Sequence, residues 1–281
     1  MSVRYSLQDR QRELGPWPTR HSRPAGDRIR ATVRATGEVM ITLGLVVLLF
    51  AVYELYFTDW LSVGKQREAT AQLDEQWRNP RGTQDQLLPG AGIAKLSIPA
   101  FGPDFVWTVL QGTDQETLAA GPGHYLDTAM PGEPGNFSLA GHRVGKGAPF
   151  NDLDLLQSCD ALIVETADTW FVYRVLPMRD EVVGWAQGKG TDPRCRDVAP
   201  LPGAYSAVVG QEIVLPSQRE VIAPVPGRPG LVLAPEQQRA LITLTTCHPK
   251  FSARQRLIVH GALVAQYPKA AGPPPAELRT G

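Results

Sequence analysis

The chain has 281 residues, room for one mid-sized domain plus attachments, because single domains cluster near ~100–200 residues. Its 28 Lys and Arg balance its 28 Asp and Glu. A net charge of zero leaves no whole-protein field to gather polyanions, so nucleic acid is set aside as a partner.

Charge is nevertheless uneven along the chain. Arg4, Arg10, Arg12, Arg20, Arg23, Arg28, Arg30 and Arg34 all precede the first long apolar run. Residues 1–36, rich in Arg, Pro and Gly without apolar periodicity, read as a disordered cytoplasmic tail. The run over 39–53 continues past Glu54 into Leu55, Tyr56 and Phe57, close to the ~20 residues that a bilayer-spanning helix needs. Residues 37–58 are therefore assigned as a single transmembrane anchor. Tyr53, Tyr56, Phe57 and Trp60 gather at its far end, where amphipathic rings favour the headgroup layer. The arginine bias keeps the N-terminus in the cytoplasm and places everything after residue 60 outside the cell. A cleaved signal peptide would have a shorter apolar run ending in small residues, not bulky aromatics.

Residues 59–90 read as stalk and linker. Good helix formers fill 65–78, with Leu73 and Trp77 four apart, and Pro80 closes the segment. From Gly92 the pattern changes to short runs rich in β-branched and aromatic residues, broken by Pro and Gly. Strands are predicted at 93–98, 105–109, 137–140, 162–165, 170–176, 212–215, 240–246 and 256–264. One helix interrupts them, opened by the N-cap candidate Asp114 and stopped at Gly121 and Pro122. Many short strands with few helices argue for a mainly β barrel or sandwich over 91–267. Within it, 184–210 has no period and is rich in Gly, Pro and Ala, a long loop of the kind compact domains rarely carry without a reason. Residues 268–281 turn to Pro and Ala and read as a disordered tail.

Three cysteines, Cys159, Cys195 and Cys247, are an odd number for an exported domain, which points to a reactive or intermolecular thiol. None has CxxC spacing and no His-x-x-His accompanies them, so no metal site is expected. Cys247 ends a predicted strand, and Arg256 opens the next one after a loop broken by Pro249. If those strands pair antiparallel, ~4.8 Å apart, the two side chains come within reach. A cation beside a thiol favours the nucleophilic thiolate, and arginine offers fixed donors to a carbonyl becoming an oxyanion.

A cysteine nucleophile usually works with a histidine. His21 lies in the cytoplasmic tail, His248 alternates away from Cys247, and His260 sits inside a strand where packing is the commoner role. His142 occupies a Gly-flanked position at the mouth of a predicted strand, His124 lies in the loop Gly121-Pro-Gly-His-Tyr125, and composition leaves the two level.

Four stretches separate them. Gly90 to Pro99, Pro131 to Asn136, Ala140-Gly-His142-Arg143, and Thr243-Leu-Thr-Thr-Cys247 with Arg256 nine residues on occur in an order that resembles the sortase family. The resemblance implies an eight-stranded β-barrel with short helices, in which residues matching His142, Cys247 and Arg256 meet in one groove. It implies a cysteine transpeptidase without a cofactor. The Cys247 thiolate would attack the threonine carbonyl of a C-terminal LPXTG- or LAXTG-like sorting signal on a secreted protein, and His142 would protonate the departing amine. An amine of a peptidoglycan precursor would then resolve the thioester, with Arg256 and the Thr246 backbone holding the oxyanion. The single anchor, the arginine-rich tail and Gly-Pro-Gly-His-Tyr125 are most similar to class E enzymes of high-GC Gram-positive bacteria, where the tyrosine at Tyr125 bears on the sorting signal; a half-buried aromatic bonded to backbone is the other reading of Tyr125.

The chain departs from the family at Cys159-Asp160, where a glycine often stands, and in the length of 184–210, which holds Cys195. A disulfide between Cys159 and Cys195 that ties this loop to the barrel is one expectation. Two unpaired buried thiols are the other, because sequence does not supply the Cα separation a bridge requires. Two further functions stay open on the same residues: a membrane-anchored cysteine hydrolase, and a non-catalytic exported barrel that binds ligands.

Overall fold

In the computed structural model, residues 25–53, 58–79 and 88–278 are described. The chain divides into two units, 1–51 and 52–281. The described residues of the first lie in helix α1, Ala25–Val52. Its span Ile29–Val52 has a mean hydropathy of 2.2, and by length and composition it can cross a membrane. The helix starts earlier than the apolar run predicts. Arg34 and Glu38 pair at 3.0 Å one turn apart, so the polar residues before the run continue the same helix. Most of the arginine-rich tail, together with Glu54, Leu55, Tyr56 and Phe57, lies outside the described residues.

The second unit is a closed β-barrel. Its strands are β1 Gly92–Ser97, β2 Val106–Gln111, β3 Gly123–His124, β4 Gly135–Ala140, β5 Ala161–Glu165, β6 Thr169–Val175, β7 Gln211–Val214, β8 Ala240–His248 and β9 Gln255–Pro268. Eight form a ring in the order β6-β5-β1-β2-β3-β4-β8-β9, closed by pairing of β9 with β6. The 14-residue β9 makes closure possible: its far half pairs with β6, and its near half, Arg256 to Val259, carries β7 as a ninth strand. Alternate residues fill the interior, among them Leu96, Val109, Phe137, Leu139, Leu162, Val164, Ile242, Leu244, Leu257 and Val259.

The two-residue β3 was read from sequence as loop, because so short a strand has no periodicity to reveal it. It completes the ring nonetheless, parallel to β2 and antiparallel to β4. Gly123 allows this, since a Cβ there would stand 2.1 Å from the Gly112 carbonyl oxygen. Helix α3, Gln115–Ala120, precedes it and is capped by the Asp114 carboxylate, which accepts from the backbone N–H groups of Glu116 and Thr117.

Helix α2, Thr58–Arg78, covers the segment expected to stand off as a stalk, and instead lies along the barrel. Gln66 is the reason at its centre. Its amide donates to the Thr108 carbonyl and accepts from the Thr108 N–H, both at 3.0 Å, and so satisfies the stretch of β2 edge that short β3 leaves open. Leu73 is fully buried, and Lys95 and Lys269 stand over the Trp77 ring at 5.0 and 4.3 Å. Residues 268–281, expected to be a disordered tail, are described as far as Leu278. There Glu277 pairs with Arg174 at 2.7 Å, an ion pair that holds the segment to β6.

Cys159 and Cys195 are joined in a disulfide with a Cα–Cα separation of 5.1 Å and a sequence separation of 36. Both are buried with Trp185 and Val198, and the Trp185 indole N–H donates to the Val198 carbonyl at 3.0 Å. The loop over 184–210 thus has a small core of its own, stapled to the start of β5.

Two stability outcomes follow. Leu73→Ala should cost about 2–5 kcal/mol of unfolding free energy, read by urea denaturation of the folded chain; a change within error would mean that α2 is not part of the cooperative unit. Cys195→Ser should cost about 3 kcal/mol in the same assay, and non-reducing mass mapping should find the Cys159–Cys195 pair intact in the parent.

Candidate active site

The site is set by the two neighbours of β8. Along β8, Ile242, Leu244 and Thr246 point into the barrel, while Thr243, Thr245 and Cys247 point outward. The antiparallel register with β9 places Cys247 directly opposite Arg256, and Thr245 opposite Ile258. Opposed residues share a face, with Cβ atoms about 4.5–5.5 Å apart, so thiol and guanidinium rise from the same outer surface. The parallel register with β4 pairs Ala140 with Thr245. Two residues further along each chain are His142 and Cys247, both of the outward parity. Two bonds keep the chain in step beyond the ladder: the Gly141 N–H donates to the Thr245 carbonyl at 3.1 Å, and the Thr246 hydroxyl donates to the Gly141 carbonyl at 2.8 Å.

Cys247 is the free cysteine and is half-buried. His142 is half-buried too, with Nε2 out of contact with solvent and without a hydrogen-bond partner among the described residues. Burial pushes its basicity below the ordinary histidine value, and Lys146 on the same loop adds to the effect. The ring is therefore mainly neutral near pH 7. Arg256 donates through Nη1 to the carbonyls of Ala253 and Gln255, each at 3.0 Å. Those bonds fix one arm of the fork.

A cleft of about 200 Å³ continues from this end, lined by Tyr125, Thr245, Arg256 and Ile258 from the barrel and by Val214, Arg219, Val221 and Ile222 across it. The Tyr125 hydroxyl lies 3.0 Å from the Thr245 hydroxyl, which itself donates to the Leu139 carbonyl at 3.1 Å. A threonine has one proton, so Thr245 accepts from Tyr125, and Tyr125 presents its remaining oxygen lone pairs to the cleft. Thr246, expected in the substrate site through its backbone, turns its side chain inward. The cleft-facing threonine is Thr245, two residues before Cys247; strand parity alone would have identified it.

Among the described residues, His124 and His260 have structural partners. His124 is buried, with Nδ1 2.9 Å from Gln111 Oε1 and Nε2 near the Ala129 carbonyl and the Thr128 hydroxyl; burial pushes its basicity down. His260 is fully buried, with Nδ1 2.8 Å from the Thr243 hydroxyl and Nε2 3.4 Å from Glu212. The bond to His260 holds the Glu212 carboxyl below the usual carboxylate range. Among the described residues no three His, Cys, Asp or Glu side chains are grouped to hold a metal ion.

Comparison with known proteins agrees with this geometry. Residues 96–264 match the model of the sortase domain family. Sortase SrtE2 of Streptomyces coelicolor is 32% identical over 96% of this chain and 97% of its own length. Sortase SrtE1 of the same organism is 33% identical over 86% of this chain, which spans 60% of that longer relative. Among solved structures, the SrtF sortase of Corynebacterium diphtheriae is 42% identical, with a TM-score of 0.61 over 72% of this chain and 98% of that one. The SrtA sortase of Actinomyces oris is 33% identical, with a TM-score of 0.51. The match to the sortase domain over 96–264, with a relative 32% identical across nearly the whole of both chains, shows that the chain belongs to the sortase family of cysteine transpeptidases, alongside its class E members.

Proposed function

We propose that Cys247 is the nucleophile, His142 the proton donor and acceptor, and Arg256 the oxyanion ligand of a transpeptidase that cleaves a C-terminal LPXTG- or LAXTG-like sorting signal after its threonine. The observation that carries this is the double register of β8, which sets Arg256 opposite Cys247 and continues from Ala140 and Thr245 to His142 and Cys247.

The chemistry follows from those positions. The Cys247 thiolate adds to the threonine carbonyl, and the negative charge passes to an oxygen that the second arm of the Arg256 fork meets. The C–N bond then breaks as His142 delivers its proton to the departing amine, leaving a thioester on Cys247. An amine of a cell-wall precursor adds to the thioester and gives a proton to His142, and the thiolate leaves. One peptide bond is exchanged for another, so no external energy source is needed. Burial and Lys146 disfavour the protonated His142 ring. Tyr125, bonded to Thr245 at the cleft wall, contacts the signal peptide. The α1 helix anchors the enzyme with its arginine-rich N-terminus in the cytoplasm and the barrel outside, where secreted proteins and peptidoglycan precursors meet.

The test is the full chain in detergent with a fluorogenic sorting-signal peptide and an amine acceptor, products read by mass. Cys247→Ala should abolish turnover, and His142→Ala and Arg256→Ala should each lower kcat by about a hundredfold or more with the fold intact. Turnover that survives Cys247→Ala would sink the assignment, and release of peptide without transfer to the amine would make the enzyme a hydrolase. Removing the second cause of the His142 shift has a definite sign: in Lys146→Met the His142 ring resonances should titrate at higher pH than in the parent by NMR. A midpoint that stays or falls would show that Lys146 does not bear on the ring.

A further inference from the structure

Arg143 follows His142 directly and is almost completely buried, at 3% exposure. A guanidinium out of water is costly unless its donors are matched, so its partners are informative. Nη2 pairs with Asp154 at 2.9 Å. Nη1 donates to His248 Nδ1 at 2.8 Å and to the Cys247 carbonyl oxygen at 3.4 Å. Since arginine only donates, His248 Nδ1 is the acceptor, and the N–H of that neutral imidazole sits on Nε2.

These contacts cross between the two segments that bear the nucleophile and the acid. Before His142, the Gly141 bonds to Thr245 and Thr246 secure the chain to β8. After His142, Arg143 secures it again, this time to Cys247 and His248 at the strand's end. The loop is braced on its own side as well: the Arg143 carbonyl accepts from the Asn151 amide at 2.8 Å, the His142 carbonyl accepts from the Phe150 N–H at 3.0 Å, and Lys250 reaches Asn151 at 2.8 Å. His142 is thereby pinned on both sides, and the later pin ends on the backbone of Cys247 itself.

We propose that Arg143 is a positioning residue for the reaction. It clamps the Cys247 end of β8 to the His142 loop and so sets the separation across which the proton reaches the leaving amine. This rests on the assignment of Cys247 and His142 made above. A displacement of about 1 Å between reacting groups can cost up to about a hundredfold in rate, so a clamp at this point governs kcat.

The experiment uses the full chain in detergent, with active sites counted by thiol titration so that kcat is expressed per reactive Cys247. Arg143→Gln should lower kcat about tenfold to a hundredfold while KM for the sorting-signal peptide stays within about twofold, and added guanidinium ion should restore part of the rate. Arg143→Lys keeps the charge beside Asp154 but offers one ammonium where two separate nitrogens now serve three partners. Its kcat should fall at least about threefold with the melting temperature near the parent's, and this variant decides the matter if Arg143→Gln does not fold. An unchanged kcat per titrated site in the lysine variant, or a loss in the glutamine variant that vanishes once folded sites are counted, overturns the proposal. Turnover that survives Cys247→Ala would instead overturn the reading beneath it, and the two failures are read from different proteins.

Discussion

The register of β8 between β4 and β9 is the constraint on which the active site depends. Side chains alternate faces with a period of two, so a slip of one residue against β9 would turn Arg256 to the face opposite Cys247. The same slip against β4 would carry His142 out of step with the thiol. What prevents it is the core: Ile242 and Leu244 of β8, Phe137 and Leu139 of β4, and Leu257 and Val259 of β9 are all buried inside the barrel. Exposing that set to solvent would cost about 1.5–3 kcal/mol for each large side chain. The apolar interior that gives the barrel its stability therefore also sets the geometry of the polar groups outside it.

The outer face of the same three strands is polar in an ordered way. At the far end from Cys247, Thr243 donates to Asn136 at 2.7 Å and meets His260, which in turn meets Glu212 of β7. Asn136 donates to the carbonyls of Val221 and Ala223, and so attaches the β7–β8 connection that forms the cleft's opposite wall. Each of these buried groups has a partner, which locates the wall without leaving unpaired polar atoms. Nearer the cysteine the pattern opens. Thr245 and Tyr125 pair at the cleft, and Nε2 of His142, without a partner among the described residues, and the second arm of the Arg256 fork lie at the Cys247 end.

Helix α2 and the disulfide extend this ordering to segments without strands. Gln66 completes the hydrogen bonding of β2 where β3 is too short, and Gly147, in the loop after His142, lies so close to Trp107 and Ser62 that a Cβ would come within 2.8 Å of the indole. The loop that follows His142 thus packs against both the barrel and α2. The Cys159–Cys195 bridge leaves Cys247 as the free cysteine.

Much of this was legible in the sequence. The strands with alternating or β-branched runs, the capped helix after Asp114, the apolar helix near the N-terminus and the odd cysteine all carry local signals, because periodicity, capping and composition act over a few residues. The pairing of Cys247 with Arg256 was legible too, since a strand, a Pro-broken loop and a strand imply a hairpin. Other features had no local signal. β3 is two residues long, Gln66 replaces a strand edge from 42 residues away, and Arg143 gains its meaning from a carboxylate, an imidazole and a carbonyl that the chain supplies elsewhere. The histidines could not be ranked from composition, because a ring's role depends on what meets its two nitrogens. By itself the sequence determined which segments become strands and which residues can do chemistry; only the tertiary structure decided which of them face one another, since hydrogen-bond partners across a closed barrel are set by register and closure, not by neighbours in the chain.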